Sequence, residues 1–263
     1  MKPSAADLAD ANLLEAMRVH AGWQQPCDLV EAGGVLLIAG PNAFPGAFRN
    51  GVTRVDGGVP AAEVLRRARD FFAPRGRGYT LVARASRDPD LMTALQEAGV
   101  APLADSPCML IEGPVSAPPI PAGIRVEPMT QPQHVRDAVR INAPAYEELR
   151  LPAAETRLFF DRPQAVLSPR VIGFVAYRGA EPVATALTLL SGEGAGVYWV
   201  GTAASARRQG LGELCTRLAT NAGFAHGART VTLQASPMGE PIYQRIGYRI
   251  CDRMLRFRFA ASA

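Results

Sequence analysis

The chain has 263 residues, 48% of them hydrophobic and 20% charged, with a formal net charge of +4. That composition supplies apolar mass for one large or two ordinary cores and excludes a disordered chain. No stretch approaches the roughly 20 apolar residues of a membrane helix, and the acid-bearing amino terminus lacks the apolar run of a secretory signal, so a cytoplasmic protein is expected.

In chain order, Ala5 to His20 reads as an amphipathic helix, with Leu8, Leu13, Leu14 and Met17 on its apolar side. Val35–Ala39 is a short apolar strand, Ala47–Val55 is extended, and Pro60 starts a helix that runs to Phe72. A strand at Tyr79–Ala83, a helix at Asp90–Ala98 closed by Gly99, and a strand at Met109–Ile111 complete the first half. The segment Glu112 to Gly123, EGPVSAPPIPAG, can propagate neither helix nor central strand and reads as a linker. The expected division is therefore a domain over 1–113, a linker over 114–123 and a second domain over 124–263.

Beyond the linker, a strand at Ile124–Glu127 and a helix at Gln131–Ile141 lead into a loop, Asn142–Leu151, and a helix at about Ala153–Phe160. Strands at Val171–Tyr177 and Pro182–Leu190 flank a turn at Arg178-Gly179-Ala180, and Gly196–Thr202 follows. A helix from about Gly210 to His226, a strand at Thr230–Ala235, a short helix near Pro241–Arg245 and an extended tail, Tyr248–Phe259, end the chain. An antiparallel meander followed by a helical crossover indicates a mixed α/β sheet. Both halves share a similar order of elements.

The halves differ in charge. Up to Pro118 there are 11 basic and 13 acidic residues, and beyond it 17 and 11. A basic half suits a polyanionic small ligand and, by charge alone, nucleic acid. No recognition helix with clustered basic residues and no aromatic-lined RNA motif is present; charge alone leaves the choice open, with nucleic acid the less expected partner. Cys27, Cys108, Cys215 and Cys251, like His20, His134 and His226, are scattered without metal-ligand spacing, and neither a metal site nor a disulfide framework is expected.

The segment with chemistry in it is Trp199 to Gly212, WVGTAASARRQGLG, a strand running through small residues into Arg207-Arg208-Gln209-Gly210-Leu211-Gly212 and a helix. Backbone N–H groups at a helix start lack intrahelical partners and lie at the positive end of the helix dipole, which makes a cradle for a diphosphate. Gly210 and Gly212 allow close approach, and Arg207 and Arg208 add charge. The segment lacks the lysine and Ser/Thr of a nucleotide P-loop and is not G-x-G-x-x-G, so neither ATP nor NAD fits it well. An ordinary glycine-rich loop with solvated arginines is the alternative reading of these six residues.

This loop resembles the acyl-CoA loop of the GNAT (GCN5-related N-acetyltransferase) family, [RQ]-x-x-G-x-[GA], with Arg207, Gly210 and Gly212 at its defining positions. A second match lies in Leu233–Tyr248, LQASPMGEPIYQRIGY, where Tyr243, Gly247 and Tyr248 follow the family's tyrosine and Gly-aromatic pattern. The position seven before the tyrosine is commonly Asn in the family and is Ser236 here. The resemblance covers most of Ile124 to Phe259. It implies an acyl-CoA-dependent N-acyltransferase, most simply moving acetyl from acetyl-CoA to a small-molecule or peptide amine by direct attack in a ternary complex.

The resemblance further implies that Val200, Gly201 and Thr202 lie where the strand splays from its neighbour, offering an oxyanion donor and an edge for pantetheine. Arg207, Arg208, Gln209, Gly210, Leu211 and Gly212 would hold the phosphates, with Ser236 in the place of the family's amide. Tyr243 is the candidate general acid, and no metal is implied. The strand carries no carboxylate, so Glu147 and Glu148 are the nearest candidate bases, with a water chain as the alternative. The first half resembles a degenerate GNAT-like copy without a phosphate loop, in a tandem protein whose first domain walls the acceptor site, dimerises or stabilises the second. A non-catalytic acyl-CoA sensor is the first rival reading, and a nucleic-acid-binding protein using the basic second half is the other.

Overall fold

In the computed structural model, which describes residues 2–261, the chain begins with α1 (Ala5–Gly22), β1 (Asp28–Ala32), β2 (Val35–Ala39), β3 (Asn50–Arg54) and α2 (Ala61–Phe72). β4 (Tyr79–Arg84), α3 (Pro89–Glu97) and β5 (Ala104–Ile111) precede an irregular stretch. Then come β6 (Ile124–Pro128), α4 (Pro132–Glu147), α5 (Ala153–Phe159), α6 (Pro163–Val166), β7 (Val171–Arg178) and β8 (Glu181–Ser191). β9 (Gly194–Thr202), α7 (Leu211–Ala225), β10 (Thr230–Gln234), α8 (Glu240–Ile246) and β11 (Arg249–Phe259) close the chain. The mixed α/β class is as expected from sequence.

Two local differences from the sequence expectation have simple causes. β1 forms a hairpin with β2 through Gly33 and Gly34, whose φ values of 54° and 76° suit a two-residue turn of primed type. Its residues are exposed along their whole length, so the strand carries no apolar alternation to reveal it. α4 continues through Pro144 to Glu147, where a loop from Asn142 was expected. The buried face of Val135, Ala138, Ile141 and Asn142 carries the helix past the proline, because packing outweighs one lost backbone bond.

The chain divides into two compact units: a larger one of residues up to Ala16 with Met109–Arg249, and a smaller one of Met17–Cys108 with Ile250 onward. Residues 114–123 are irregular, as their prolines require. The expected linear division nevertheless differs from these units at both chain ends. Composition marks where a chain cannot form regular structure; it does not say which sheet edge a terminal strand will join.

In the larger unit β6, β7, β8 and β9 form an antiparallel meander, and β10 lies parallel to β9 after the α7 crossover. α7 buries Leu211, Leu214, Cys215, Ala219 and Gly223, at helical spacing, against the sheet. Gly223 permits that approach, since an added Cβ would stand 3.0 Å from the Ala195 and Val231 side chains. Along β7, Ala176 joins the core beneath α7, while the next residue, Tyr177, turns to the other face and donates its hydroxyl to Asp137 of α4 at 3.1 Å. The first turns of α1 are tied to this same sheet by Asn12, which is fully buried. Asn12 Nδ2 donates to the Leu189 carbonyl at 3.0 Å and to Ser191 Oγ at 2.7 Å, and Tyr198 donates to Asn12 Oδ1 at 2.8 Å.

In the smaller unit the strand order is β1-β2-β3-β4-β11, with β3 parallel to β4 across α2. α2 buries Val64, Ala68 and Phe72, one residue per turn. β11 runs antiparallel to β4, from Met254 opposite Arg84 to Phe259 opposite Tyr79. The Tyr79 ring stacks on Phe72 and on Phe259, both at 4.8 Å between centroids. Buried Asp88 binds Arg54 at 2.8 Å and Arg84 at 2.9 Å, and Arg54 also reaches Asp90 at 2.6 Å. Among the described residues no helix is long and apolar enough to cross a membrane.

Candidate functional site

The site grows out of one strand. β9 pairs with β10 only from Gly194 to Gly196, opposite Thr230 to Thr232, and then runs on to Thr202 without it. On its other edge it keeps pairing with β8, but a register shift between Thr185 and Leu187 sets Trp199 and Val200 opposite the single residue Ala186. Trp199 takes a left-handed φ of 53° at this bulge, a conformation that costs a bulky residue on the order of 1–3 kcal/mol. The Ala203 N–H donates to the Val183 carbonyl at 2.9 Å. By antiparallel alternation, the N–H of Thr202 then points away from β8, toward the wedge that β10 has left.

Past β9 a single 3-10 turn, Ala204–Ala206, delivers Arg207 in extended conformation to the start of α7. Arg208 and Gly210 both adopt left-handed φ, 60° and 75°, on either side of Gln209. Such alternation turns successive N–H groups into one concavity that suits an anion. Among the described residues no hydrogen-bond partner is present for the N–H groups from Arg208 to Glu213. Gly210 faces open space, with nothing within 4 Å of a Cβ placed there, so the glycine answers the backbone conformation and leaves the concavity clear. Gly212 answers crowding: its Cβ would stand 2.7 Å from Thr202 Oγ1, which seats the helix start against the end of β9. Open space, orphaned N–H groups and the helix dipole together suit an anionic group of phosphate size.

The side chains around this cradle have other engagements. Arg207, partly exposed, pairs with Glu148 beyond the end of α4 at 2.8 Å. The Arg207 guanidinium holds the Glu148 carboxyl below its usual range, which makes Glu148 a weaker base than a free carboxylate. Gln209 accepts from Arg178 of β7 and donates to the Ser205 carbonyl at 3.4 Å, so its amide pins the loop. Ser236 Oγ accepts from the Gly239 N–H at 3.2 Å and serves the start of α8.

Tyr243, on α8, is held between Gly239 and Tyr248: a Cβ on Gly239 would stand 2.7 Å from its ring, and the Tyr248 centroid is 6.1 Å away. Burial pushes its phenol up to about 12. The group therefore stays protonated throughout the neutral range and keeps a proton to donate. Tyr146 of α4 is pushed up as well, by burial first and by the nearby Tyr243 second. The Tyr146 ring in turn lies 4.9 Å from Trp199, which Phe160 and Phe159 approach to 4.9 and 5.5 Å. α4, α5 and the bulge of β9 thus share one aromatic cluster.

Val200–Thr202 and Arg207–Gly212 lie on one continuous strand–loop–helix, and Tyr243 lies on α8 beside Tyr248. The Ser236 hydroxyl and Glu148 are committed elsewhere. Sequence reasoning missed Asn142, whose side chain meets the bulge, and Tyr146. An aromatic at the end of a helical apolar stripe was the available signal for Tyr146. Nothing local signalled Asn142.

A family model described as acetyltransferase (GNAT) domain matches residues 124–244. No curated protein matches the sequence. Among solved structures, a GCN5-related N-acetyltransferase from Kribbella flavida is 25% identical, with 98% of this chain and 96% of that chain covered at a TM-score of 0.74. A tandem GNAT protein from the clavulanic acid biosynthesis pathway is 14% identical over 99% of this chain and 98% of its own, at 0.65. A GCN5-related N-acetyltransferase from Sphaerobacter thermophilus is 17% identical over 99% of this chain and 95% of its own, at 0.61. The last two show the fold alone, and they extend it to both units of the chain.

Proposed function

We propose that the larger unit, whose residues 124–244 match the GNAT acetyltransferase domain model, moves an acetyl group from acetyl-CoA to an amine. The observation that carries this reading is the meeting of two features at Thr202 and Gly212: a strand edge abandoned by its neighbour and a helix start with unpartnered N–H groups.

Acetyl-CoA, when bound, supplies an activated thioester. The N–H groups of Arg208 to Glu213, with Gly210 and Leu211 between them, hold the anionic end, and Arg207 and Arg208 add charge. The edge Val200-Gly201-Thr202 receives the amide-bearing arm as an added strand would be received. Its wedge-facing N–H groups stabilise negative charge on a carbonyl oxygen in a site that the aromatic cluster keeps dry. Tyr243 donates a proton, or a hydrogen bond, to the leaving sulfur. Its raised pKa keeps it protonated, and the same burial raises a thiol set beside it. No carboxylate stands on β9, so the amine arrives as its free base or loses its proton to water. The four free cysteines suit a reducing, cytoplasmic setting.

A second reading, an acyl-CoA sensor, is favoured by one observation: Glu148, a candidate base, is tied to Arg207. Calorimetric titration with acetyl-CoA tests what both readings share, with micromolar affinity, about −8 kcal/mol, expected. No binding by folded protein would sink both. An amine panel then separates them, with Tyr243→Phe expected to lower turnover roughly 100-fold while binding stays. Turnover with no amine would leave the sensor.

A further inference from the structure

Asn142 occupies an odd position. It lies inside α4, where asparagine is a poor helix former, and its side chain is fully buried. Its Nδ2 donates to the Trp199 carbonyl at 3.1 Å. Asn142 thus brings a donor from α4 to the carbonyl of the bulged residue. Its Oδ1 is buried and has no hydrogen-bond partner among the described residues. That oxygen is seated on the backbone of Gly201, for a Cβ there would stand 2.0 Å from it. A left-handed tryptophan and an orphaned buried acceptor are both destabilising, and one amide joins them across Trp199 and Gly201.

We infer that Asn142 is a positioning residue: a latch from α4 that holds the β9 bulge in its left-handed form and so keeps the Val200–Thr202 edge presented to the wedge. The inference rests on the reading that this edge receives the acyl thioester. Gly201 is the matching half of the latch, since any side chain would displace Oδ1. The aromatic contacts of Trp199 with Tyr146 and Phe160 brace the same residue from the helix side but leave its carbonyl untouched.

The test begins without ligand, by amide hydrogen exchange on Asn142→Leu, which fills the volume and removes donor and orphan acceptor together, and on Asn142→Asp, which keeps the shape but loses the donor. Exchange across Trp199–Thr202 is expected to quicken roughly tenfold in both, with α7 and β10 unchanged. An unaltered rate at the bulge, or an equal rise throughout the unit, would overturn the latch. A second measurement guards against simple loosening: Gly201→Ala should lower the melting temperature in wild type but less in an Asn142→Ala background, and equal losses would refute the seating of Oδ1. In titrations, Asn142→Leu should keep CoA affinity within about twofold while acetyl-CoA affinity falls roughly fivefold. A joint fall of both would overturn the positioning role. Failure of wild type to bind acetyl-CoA would count against the acetyltransferase reading, and the exchange and melting results would still decide the latch.

Discussion

Two β–α–β crossovers in this chain can be set side by side: β3–α2–β4 in the smaller unit and β9–α7–β10 in the larger. Each joins parallel strands through an amphipathic helix, and each has glycines where strand gives way to helix, Gly57-Gly58 in one and Gly210, with Gly212 in the first helical turn, in the other. In the smaller unit the loop spends most of its donors on itself. Asp56 Oδ1 accepts from the Gly58 N–H at 2.9 Å, the Asp56 carbonyl accepts from Val59, and the N–H groups of Val55 and Asp56 both donate to Gly34. Pro60 contributes no N–H, and Arg54 is turned inward onto Asp88. In the larger unit the N–H groups stay unpartnered, Arg207 is partly exposed, and β9 parts from β10 after Gly196. Glycine content is therefore not what makes an anion site. What counts is which donors remain after the fold has satisfied the rest.

The largest effect should come from breaking what closes the smaller unit. Asp88→Ala leaves Arg54 and Arg84 buried without their shared carboxylate, and about 3–5 kcal/mol of stability should be lost in urea unfolding. A loss under about 1 kcal/mol would mean that the network is dispensable.

Next comes a matched pair in the two loops. Gly210→Glu places a carboxylate and a strained left-handed residue at the cradle, and acetyl-CoA affinity should fall roughly 100-fold. Gly57→Glu, where φ is not left-handed and space is open, should leave affinity within about twofold. Equal losses in the two variants would erase the distinction between the crossovers.

A smaller change sharpens the role of Arg207. Glu148→Gln removes its exposed partner, and CoA affinity should rise by about two- to fivefold at low salt, the gain vanishing at high salt. A decrease would show Glu148 to be part of the binding surface.

The smallest effect concerns pH. Tyr243 holds its proton more tightly folded than unfolded, so its contribution to stability is complete below about pH 10 and is lost as pH rises toward 12. Tyr243→Phe should unfold like wild type near neutrality and lose less stability above pH 10, as urea midpoints across that range would record.

The strand–loop–helix proposed to hold phosphate was legible because it is made of consecutive residues. Arg207, Gly210 and Gly212 are read one after another, and the helix that follows aims their N–H groups without help from elsewhere. Tyr243 was placed by the same local logic, one strand and one short helix later. Ser236 and Glu148 show the limit of that reading. Ser236 holds a motif position and Glu148 was only the nearest acid, yet Ser236 serves the start of α8 and Glu148 is bound to Arg207. β1 escaped notice because an exposed strand has no apolar rhythm, and the end of α4 did because Pro144 reads as a stop.

By itself, the sequence determined the mixed α/β class, the irregular stretch at 114–123 and the glycine-bearing turn from β9 into α7, all set by periodicity, backbone stereochemistry or adjacency within a few residues. Tertiary structure alone decided that Asn12 ties the first helix into the larger unit, that the last strand completes the smaller one, and that Asn142 meets Trp199 and Gly201 at a bulge. These depend on which strand edges and buried carbonyls remain unpaired once distant segments have packed, and no local pattern of residues carries that information.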